Sequence, residues 1–414
     1  MKWAADTEAT PSNSGSQELP ASGGMGICVN STYDSGNIEV ISISDPNERD
    51  VCHTLELRIH EDPFCESDRR AHFQWFSYRV SNARHEKLIM KLMNAGQASF
   101  PFAWHGYSAC ASYDRHYWFR VPTQYDKESG VLTITHIPER DAVQYAYFAS
   151  YSYQRHQSMV ADLQSRDSVR LEMMGQTLDG HDLDILIIGE PAPEKRKVWV
   201  VARQHPGETM AEFVAEGLVR RLLDRADGVS RKALREAVFY VVPNMNPDGS
   251  WRGHLRTNAA GANLNREWAA PSAERSPEVL LVRNKMDRVG VDLCLDVHGD
   301  EALPHIFLAG NEGIPGWNER LAGLQQRLSD ALLRASPDFQ DKYGYGKGSP
   351  GKADMRIAAH AIGQRYDCLA VTLELPFKDT ADAPEPVQGW SAERSLRFGA
   401  AALGAVLEVI PHLR

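Results

Sequence analysis

The chain has 414 residues, 43% of them hydrophobic, enough for more than one buried core; at about 100 to 200 residues per domain, two domains are expected. The formal net charge is −10, from 45 basic and 55 acidic residues, and no Lys/Arg run is present, which argues against nucleic acid as a partner. No stretch reaches the ~18 to 20 apolar residues of a membrane span, so no membrane association is expected and an acidic substrate would need a local basic pocket.

Residues 1–25 ("MKWAADTEATPSNSGSQELPASGGM") are rich in Ser, Ala, Gly and Pro and lack the apolar centre of a signal peptide, so they read as a disordered leader. Cys28, Cys52, Cys65, Cys110, Cys294 and Cys368 are scattered, with no CxxC pair, which suits reduced thiols in a cytoplasmic protein. From residue 26 to 158, "NIEVISIS", "HTLELRIH", "HFQWFSYRVS", "HYWFRVP", "GVLTITHI" and "AVQYAYFASYSY" alternate or cluster β-branched and aromatic residues. Turn signals such as "SDPNERD" and "DKESG" separate them, and an antiparallel β-sandwich is the expected arrangement. The aliphatic–cationic alternation of "HEKLIMKLMN" reads as one more strand. "QRHQSMVADLQ" reads as a helical connector.

A second domain is expected over 159–414. "KVWVVARQ", "AVFYVVPNM", "VDLCLDVHGD" and "CLAVTLELPF" are short continuous apolar runs, the pattern of strands buried on both faces. The helical stretches "TMAEFVAEGLVRRLLDRA", "SPEVLLVRNKMDRV", "WNERLAGLQQRLSDALLRA" and "SAERSLRFGAAALGAVLEVI" alternate with them. The fold class is therefore α/β, with a mixed, mostly parallel sheet flanked by helices behind the β-sandwich. Open sheets of this kind bind ligands at the carboxyl ends of their strands.

Polar residues gather at those ends. His205 and Glu208 lie where a strand turns into a helix, and Pro206 and Gly207 between them allow a sharp bend. His298 in "LDVHGDE" also ends an apolar run. Two imidazoles and one carboxylate form the three-ligand set of an open, hydrolytic zinc site. An HxxE pair alone is weak evidence, because a solvated helix start looks the same. Further along, "NPDGSWRGHLRTNAAGANLNREW" holds Arg256, Asn265 and Arg266, whose forked donors suit a carboxylate. Glu374 lies inside the apolar "LAVTLELPF", where an unpaired carboxylate is costly and a general base is the reading that accounts for it.

HPGE, NPDG…R…NLNR, DVHGD and TLELPF, in that order, resemble the zinc metallocarboxypeptidases. The resemblance is closest to the cytosolic carboxypeptidase-like branch, whose eukaryotic members trim glutamates from proteins and which carries a β-sandwich before the catalytic domain. It covers nearly all of the chain after residue 25. It implies one Zn2+ held by His205, Glu208 and His298, with Glu374 activating the zinc-bound water and Arg256 stabilising the oxyanion. Asn265 and Arg266 would hold the C-terminal carboxylate of a peptide or protein substrate, and Arg356 would be the pocket cation for an acidic terminal side chain. The family's active-site tyrosine would be one of Tyr343, Tyr345 and Tyr366. One departure stands out: Asn263 occupies a position where the wider family often has an Asp that accepts a hydrogen bond from a zinc-binding His, so the bond would lose its charge.

The expectation is a zinc carboxypeptidase releasing C-terminal residues, acidic ones first. An amidohydrolase of the aspartoacylase type acting on N-acyl amino acids, and a silent binding homologue, are the alternatives. The peptidase form of the NLNR loop and the N-terminal β-domain weigh against the first, and retention of Glu374 and Arg256 against the second. The sequence leaves homo-oligomerisation open.

Overall fold

A computed structural model of the chain describes residues 26–46, 51–65 and 71–414, so the expected leader over 1–25 lies outside the described residues. The N-terminal part folds into two five-stranded sheets. One runs β1 (Cys28–Asn30), β4 (Ser77–Ser81), β10 (Ala142–Ala146), β6 (Cys110–Ser112), β7 (Phe119–Arg120). The other runs β2 (Glu39–Ser44), β3 (His53–Arg58), β5 (Leu88–Leu92), β9 (Val131–His136), β8 (Thr123–Asp126). Alternation sets which face is buried: Leu55, Leu57, Leu88, Met90 and Leu92 all point inward. Tyr78 of the first sheet reaches across to donate to Met90 Sδ at 3.3 Å.

The "HEKLIMKLMN" segment contains strand β5, as its alternation predicts. One pair departs from an all-antiparallel sandwich, because β3 and β5 pair in parallel. Between them the chain crosses to the other sheet to form β4 and returns in its original direction, a connection long enough for parallel pairing.

Helix α1 (Tyr153–Gln164), capped by the Ser152 side chain, leads into the second part. Its seven-stranded sheet has the order β11 (Val169–Gln176), β12 (Asp182–Ile188), β14 (Ala237–Val242), β13 (Arg196–Ala202), β15 (Leu293–Asp300), β17 (Leu369–Pro376), β16 (Phe307–Ala309). The four strands from β14 to β17 are parallel, and the outer pairs are antiparallel. Strands β14, β15 and β17 are buried along their whole length, which is why they read as unbroken apolar runs.

Each face of the sheet has its own core. Val198 and Val200 of β13 pack with α2 (Thr209–Leu222) and α8 (Ala392–Val409), whereas Trp199 and Val201 pack with α5 (Pro277–Val289) and α7 (Ala358–Tyr366). Helices α3 (Gly228–Glu236) and α6 (Glu319–Ala335) flank the first group, and the short α4 (Pro247–Arg252) follows β14. Gly217 and Gly399 let α2 and α8 touch backbone to backbone: a Cβ on Gly217 would stand 1.9 Å from Leu396 O.

Candidate active site

The polar residues converge at the carboxyl ends of β13, β15 and β17. Just past β13, Arg203 adopts a left-handed backbone (φ 59) although it is not glycine and is only 1% exposed. Such strain costs about 1–3 kcal/mol and persists only where the surroundings over-determine it. Here they do: the guanidinium donates to Tyr151 O at 2.7 Å, Pro206 O at 3.0 Å and Glu212 at 2.7 Å. The reversal swings His205 and Glu208 back over the sheet. Gly207 donates its N–H to Leu255 O at 2.9 Å, and a Cβ there would lie 3.0 Å from that oxygen. Glu208 occupies the N-cap of α2 yet makes no capping bond, because its side chain turns to the histidines.

Glu208 Oε1 lies 2.7 Å from His205 Nδ1, and Oε2 lies 2.8 Å from His298 Nδ1. The two Nδ1 atoms stand 3.2 Å apart. Their outer nitrogens face polar neighbours. His205 Nε2 is 2.9 Å from Asn263 Oδ1, an atom that only accepts, so that ring's proton belongs on Nε2 and its Nδ1 lone pair faces the cluster. His298 Nε2 stands 3.0 Å from Asp296 Oδ2, off the line of a hydrogen bond. Asp296 Oδ1 accepts from Gln204 at 2.7 Å, and Gln204 in turn accepts from Trp268 at 2.8 Å. Inner atoms converging while outer partners orient the rings is the construction of a metal centre.

The electrostatics suit a ligand set at His205 and Glu208. Burial, followed by the charge of Arg256, pushes the His205 pKa down to about 3, so its imidazole is the neutral form a metal requires. Burial alone would raise Glu208, but His205 and His298 overturn that and hold it well below the carboxylate range. His298 differs: burial alone would lower it, but Asp296 and Glu208 raise it well above normal, which favours a protonated ring whose proton a bound metal would have to displace. A cation between these groups would meet two nitrogens and one carboxylate, the donor set of open zinc sites, so the residues fit zinc.

Glu374 completes the group by strand register. It is the β17 partner of His298 on β15, and parallel neighbours project to the same face. Its Oε1 is 3.4 Å from the Tyr345 hydroxyl, and its buried Oε2 has no hydrogen-bond partner. Burial raises its pKa to about 8; the Glu208 and Asp300 carboxylates add to the rise, while His298 opposes it. A raised carboxylate with a free oxygen facing a cleft suits proton transfer near neutral pH.

The cleft holds about 1320 Å³ and is lined by His205, Glu208, Arg256, Asn265, Arg266 and Glu374, among others. The Arg256 guanidinium lies over the Phe100 ring at 5.8 Å and has no hydrogen-bond or ion-pair partner among the described residues. Asn265 sits in a 3-10 turn (Leu264–Arg266), its Oδ1 accepting from Ala358 N at 2.8 Å and its Nδ2 3.3 Å from His298 Nε2.

Tyr343 and Tyr345 both line the cleft, and Tyr345 is the one beside Glu374, donating to Asp300 at 2.6 Å. Tyr343 stacks on His305, and Tyr366 bonds Asp287 beyond the sheet. Arg356 does not line the main cleft. Asp354, two residues earlier, holds its guanidinium at 2.8 Å, and together with Arg256 and Arg266 it borders an adjoining recess of about 420 Å³. The sequence reading also missed Asp296, although its spacing from His298 signals a shared strand face. Asp62 and Phe100 of the N-terminal part carried no local signal.

A second group of potential ligands, Asp179, His181 and Asp248, differs in that both carboxylates are already bonded to neighbours. Asp248 accepts from Thr177, His181 and the Asp179 N–H, and Asp179 accepts from Arg252 at 2.7 Å.

A two-His, one-Glu centre above parallel strands, with a lone carboxylate one strand over, defines a metallohydrolase. Residues 29–148 match the cytosolic carboxypeptidase N-terminal domain, and residues 156–376 match the zinc carboxypeptidase domain. The chain belongs to the zinc carboxypeptidase family and is a hydrolase of its exopeptidase class. It is 45% identical to an uncharacterized protein of Zymomonas mobilis over 94% of this chain and 98% of that one. It is 25% identical to cytosolic carboxypeptidase 6 of Caenorhabditis elegans over 84% of this chain and 78% of the relative. Among solved structures, a metallo-carboxypeptidase from Pseudomonas aeruginosa in complex with (2-guanidinoethylmercapto)succinic acid superposes with a TM-score of 0.87 at 44% identity, covering 94% of this chain and all (100%) of that one.

Proposed function

We propose that the protein is a zinc carboxypeptidase that removes single residues from the C-terminus of peptides or proteins in the cytoplasm, acidic residues first. The observation that carries the reading is the convergence of His205, Glu208 and His298 beside an unpartnered Glu374 oxygen and an unpaired Arg256 guanidinium in one cleft. Zinc, held by the first three residues, would supply Lewis acidity and lower the pKa of an attacking water. Glu374 takes the proton from that water and passes it to the leaving amine. Arg256 faces the carbonyl oxygen and meets the charge that develops on it. Asn265 and Arg266 bind the terminal carboxylate, which restricts cleavage to a chain end.

The acidic preference is supported by the recess in which Arg356 joins Arg256 and Arg266, three guanidinium groups beside the reaction site. A preference for basic termini is the second reading. It is favoured by Glu312 and Asp341 in the main cleft and by the guanidino tail of the ligand held by the Pseudomonas relative.

Zinc-loaded protein assayed on peptides differing only in the last residue, with a C-terminally amidated control, separates these readings. Release of one residue, strongest for Glu or Asp and absent with the amide, is expected. In that assay Arg356→Ala should reduce cleavage of terminal Glu roughly tenfold more than terminal Leu, the scale of one charge-assisted contact; a uniform effect would remove Arg356 from recognition. Hydrolysis of N-acyl amino acids with no peptide cleavage would instead support the amidohydrolase.

A further inference from the structure

We propose that Asp62, in the N-terminal part of the chain, is a positioning residue that aims Arg256 at the scissile carbonyl. The inference rests on the role given to Arg256 above.

Asp62 is buried, 4% exposed, and spends its whole carboxylate on one short segment of the other domain. Oδ1 accepts the Leu255 N–H at 2.7 Å. Oδ2 accepts the N–H groups of Arg256 at 2.8 Å and Thr257 at 2.9 Å, and the Thr257 hydroxyl at 3.1 Å. Successive backbone N–H groups in this arrangement form a concave anion seat, and a carboxylate in it makes charge-assisted bonds about twice as strong as neutral ones. The same segment is tied to the metal cluster from its other side, since Leu255 O accepts the Gly207 N–H at 2.9 Å. Residues 255–257 thus form a bridge, with Asp62 at one end and the His205–Glu208 turn at the other.

The side chain of Arg256 has little else to hold it. Its guanidinium rests on the Phe100 ring, also from the N-terminal part, and has no polar partner among the described residues. Its distance from the metal cluster is therefore set by the backbone that Asp62 grips. Neutral bonds secure only the approach to this segment: Asn37 donates to Gly253 O at 2.9 Å, and the Ser35 N–H donates to Trp251 O at 2.8 Å. A residue that merely docked the two parts together would have no reason to concentrate four bonds on the oxyanion-facing loop.

The test uses full-length, zinc-loaded enzyme and the best peptide from the terminal-residue profile. Asp62→Asn keeps the shape but turns an amide N–H2 toward backbone donors. Expected is a loss of kcat on the order of ten- to a hundredfold, the range for misplacing a catalytic group by an ångström or less, with KM and zinc content close to wild type. Binding of a phosphonate analogue of the tetrahedral intermediate should weaken by the same factor, whereas a product-like inhibitor should bind as before. Introduced into Arg256→Ala, the substitution should cost no further kcat, since both act through one group. An unchanged kcat, an additive loss in the Arg256→Ala background, or parallel loss of zinc and melting temperature would each overturn the proposal. Should Asp62→Asn not fold, Thr257→Val is judged by the same phosphonate-against-product split, and the absence of that split overturns the proposal. Wild-type kcat in Arg256→Ala itself would sink the reading of the active site rather than the role of Asp62.

Discussion

The C-terminal domain contains two groups of His and carboxylate side chains of similar make-up, and their contrast shows what makes a centre. In His205, Glu208 and His298 the inner atoms face one another, and the outer nitrogens are turned toward Asn263 and Asp296. In Asp179, His181 and Asp248 each carboxylate already answers a hydroxyl, a backbone N–H, an imidazole or a guanidinium. Composition and proximity are shared, but Glu208 gives both oxygens to the imidazoles and takes the Gly299 N–H besides, whereas Asp248 and Asp179 are bound by Thr177 and Arg252 from outside their group. A buried carboxylate engaged by neighbours outside its group is a satisfied structural group, whereas one whose two oxygens are shared between two imidazoles stands where a cation would sit.

The strongest way to break this contrast is to delete a histidine from each group. His205→Ala should abolish zinc stoichiometry, measured by elemental analysis, and with it all peptidase activity. His181→Ala should leave both intact, and zinc lost from the His181 variant would make the second group a real site. Next in size, Glu374→Gln should keep full zinc content while kcat falls by about 10²–10⁴, the share general base catalysis supplies; equal loss of metal and turnover would mean Glu374 is structural.

A smaller effect tests the outer partners. Asn263→Ala should weaken zinc affinity roughly ten- to a hundredfold by competition with a chelator, and Asn263→Asp should strengthen it by adding a charge behind His205.

The smallest effect probes the second group through its neighbour Glu278. Burial raises the Glu278 pKa to about 8, with the nearby Asp248 and Asp179 carboxylates adding to the rise. Its unfolded carboxyl ionises near 4.5, so between 4.5 and about 8 the folded state keeps a proton that the unfolded state releases, and stability falls as pH rises through that window. Glu278→Gln should therefore raise Tm by roughly 2–4 °C at pH 8 and leave it unchanged at pH 4. Added divalent cation should not alter this difference, because a cation on Asp179 and Asp248 is what would pull Glu278 back down.

The parallel strands β13, β14, β15 and β17 were legible because burial on both faces forces unbroken apolar runs. His205, Glu208, His298 and Glu374 were legible because polar side chains at the ends of such runs need a reason to be there. Arg356, read as the pocket cation for an acidic terminal side chain, borders the recess beside the main cleft and also pairs locally with Asp354, a contact that two-residue spacing permits but does not announce. Tyr345 was indistinguishable from Tyr343 and Tyr366, since an aromatic in a Gly-rich segment can face anywhere until its neighbours are placed. The parallel β3–β5 pair was hidden because alternation reports which face is buried and not the direction of a partner strand.

By itself, then, the sequence determined the class of the sheet and which polar residues stand at its carboxyl edge, because burial and local spacing write these into short stretches of chain. Tertiary structure alone decided that His298 and Glu374 stand side by side, since that depends on strand register across a separation of 76 positions (374 − 298). It also decided that Arg256 is gripped from nearly 200 residues away by Asp62 (separations of 193 to 195). Interactions between segments so far apart leave no periodic trace in either one; they exist only once both are packed against a common core.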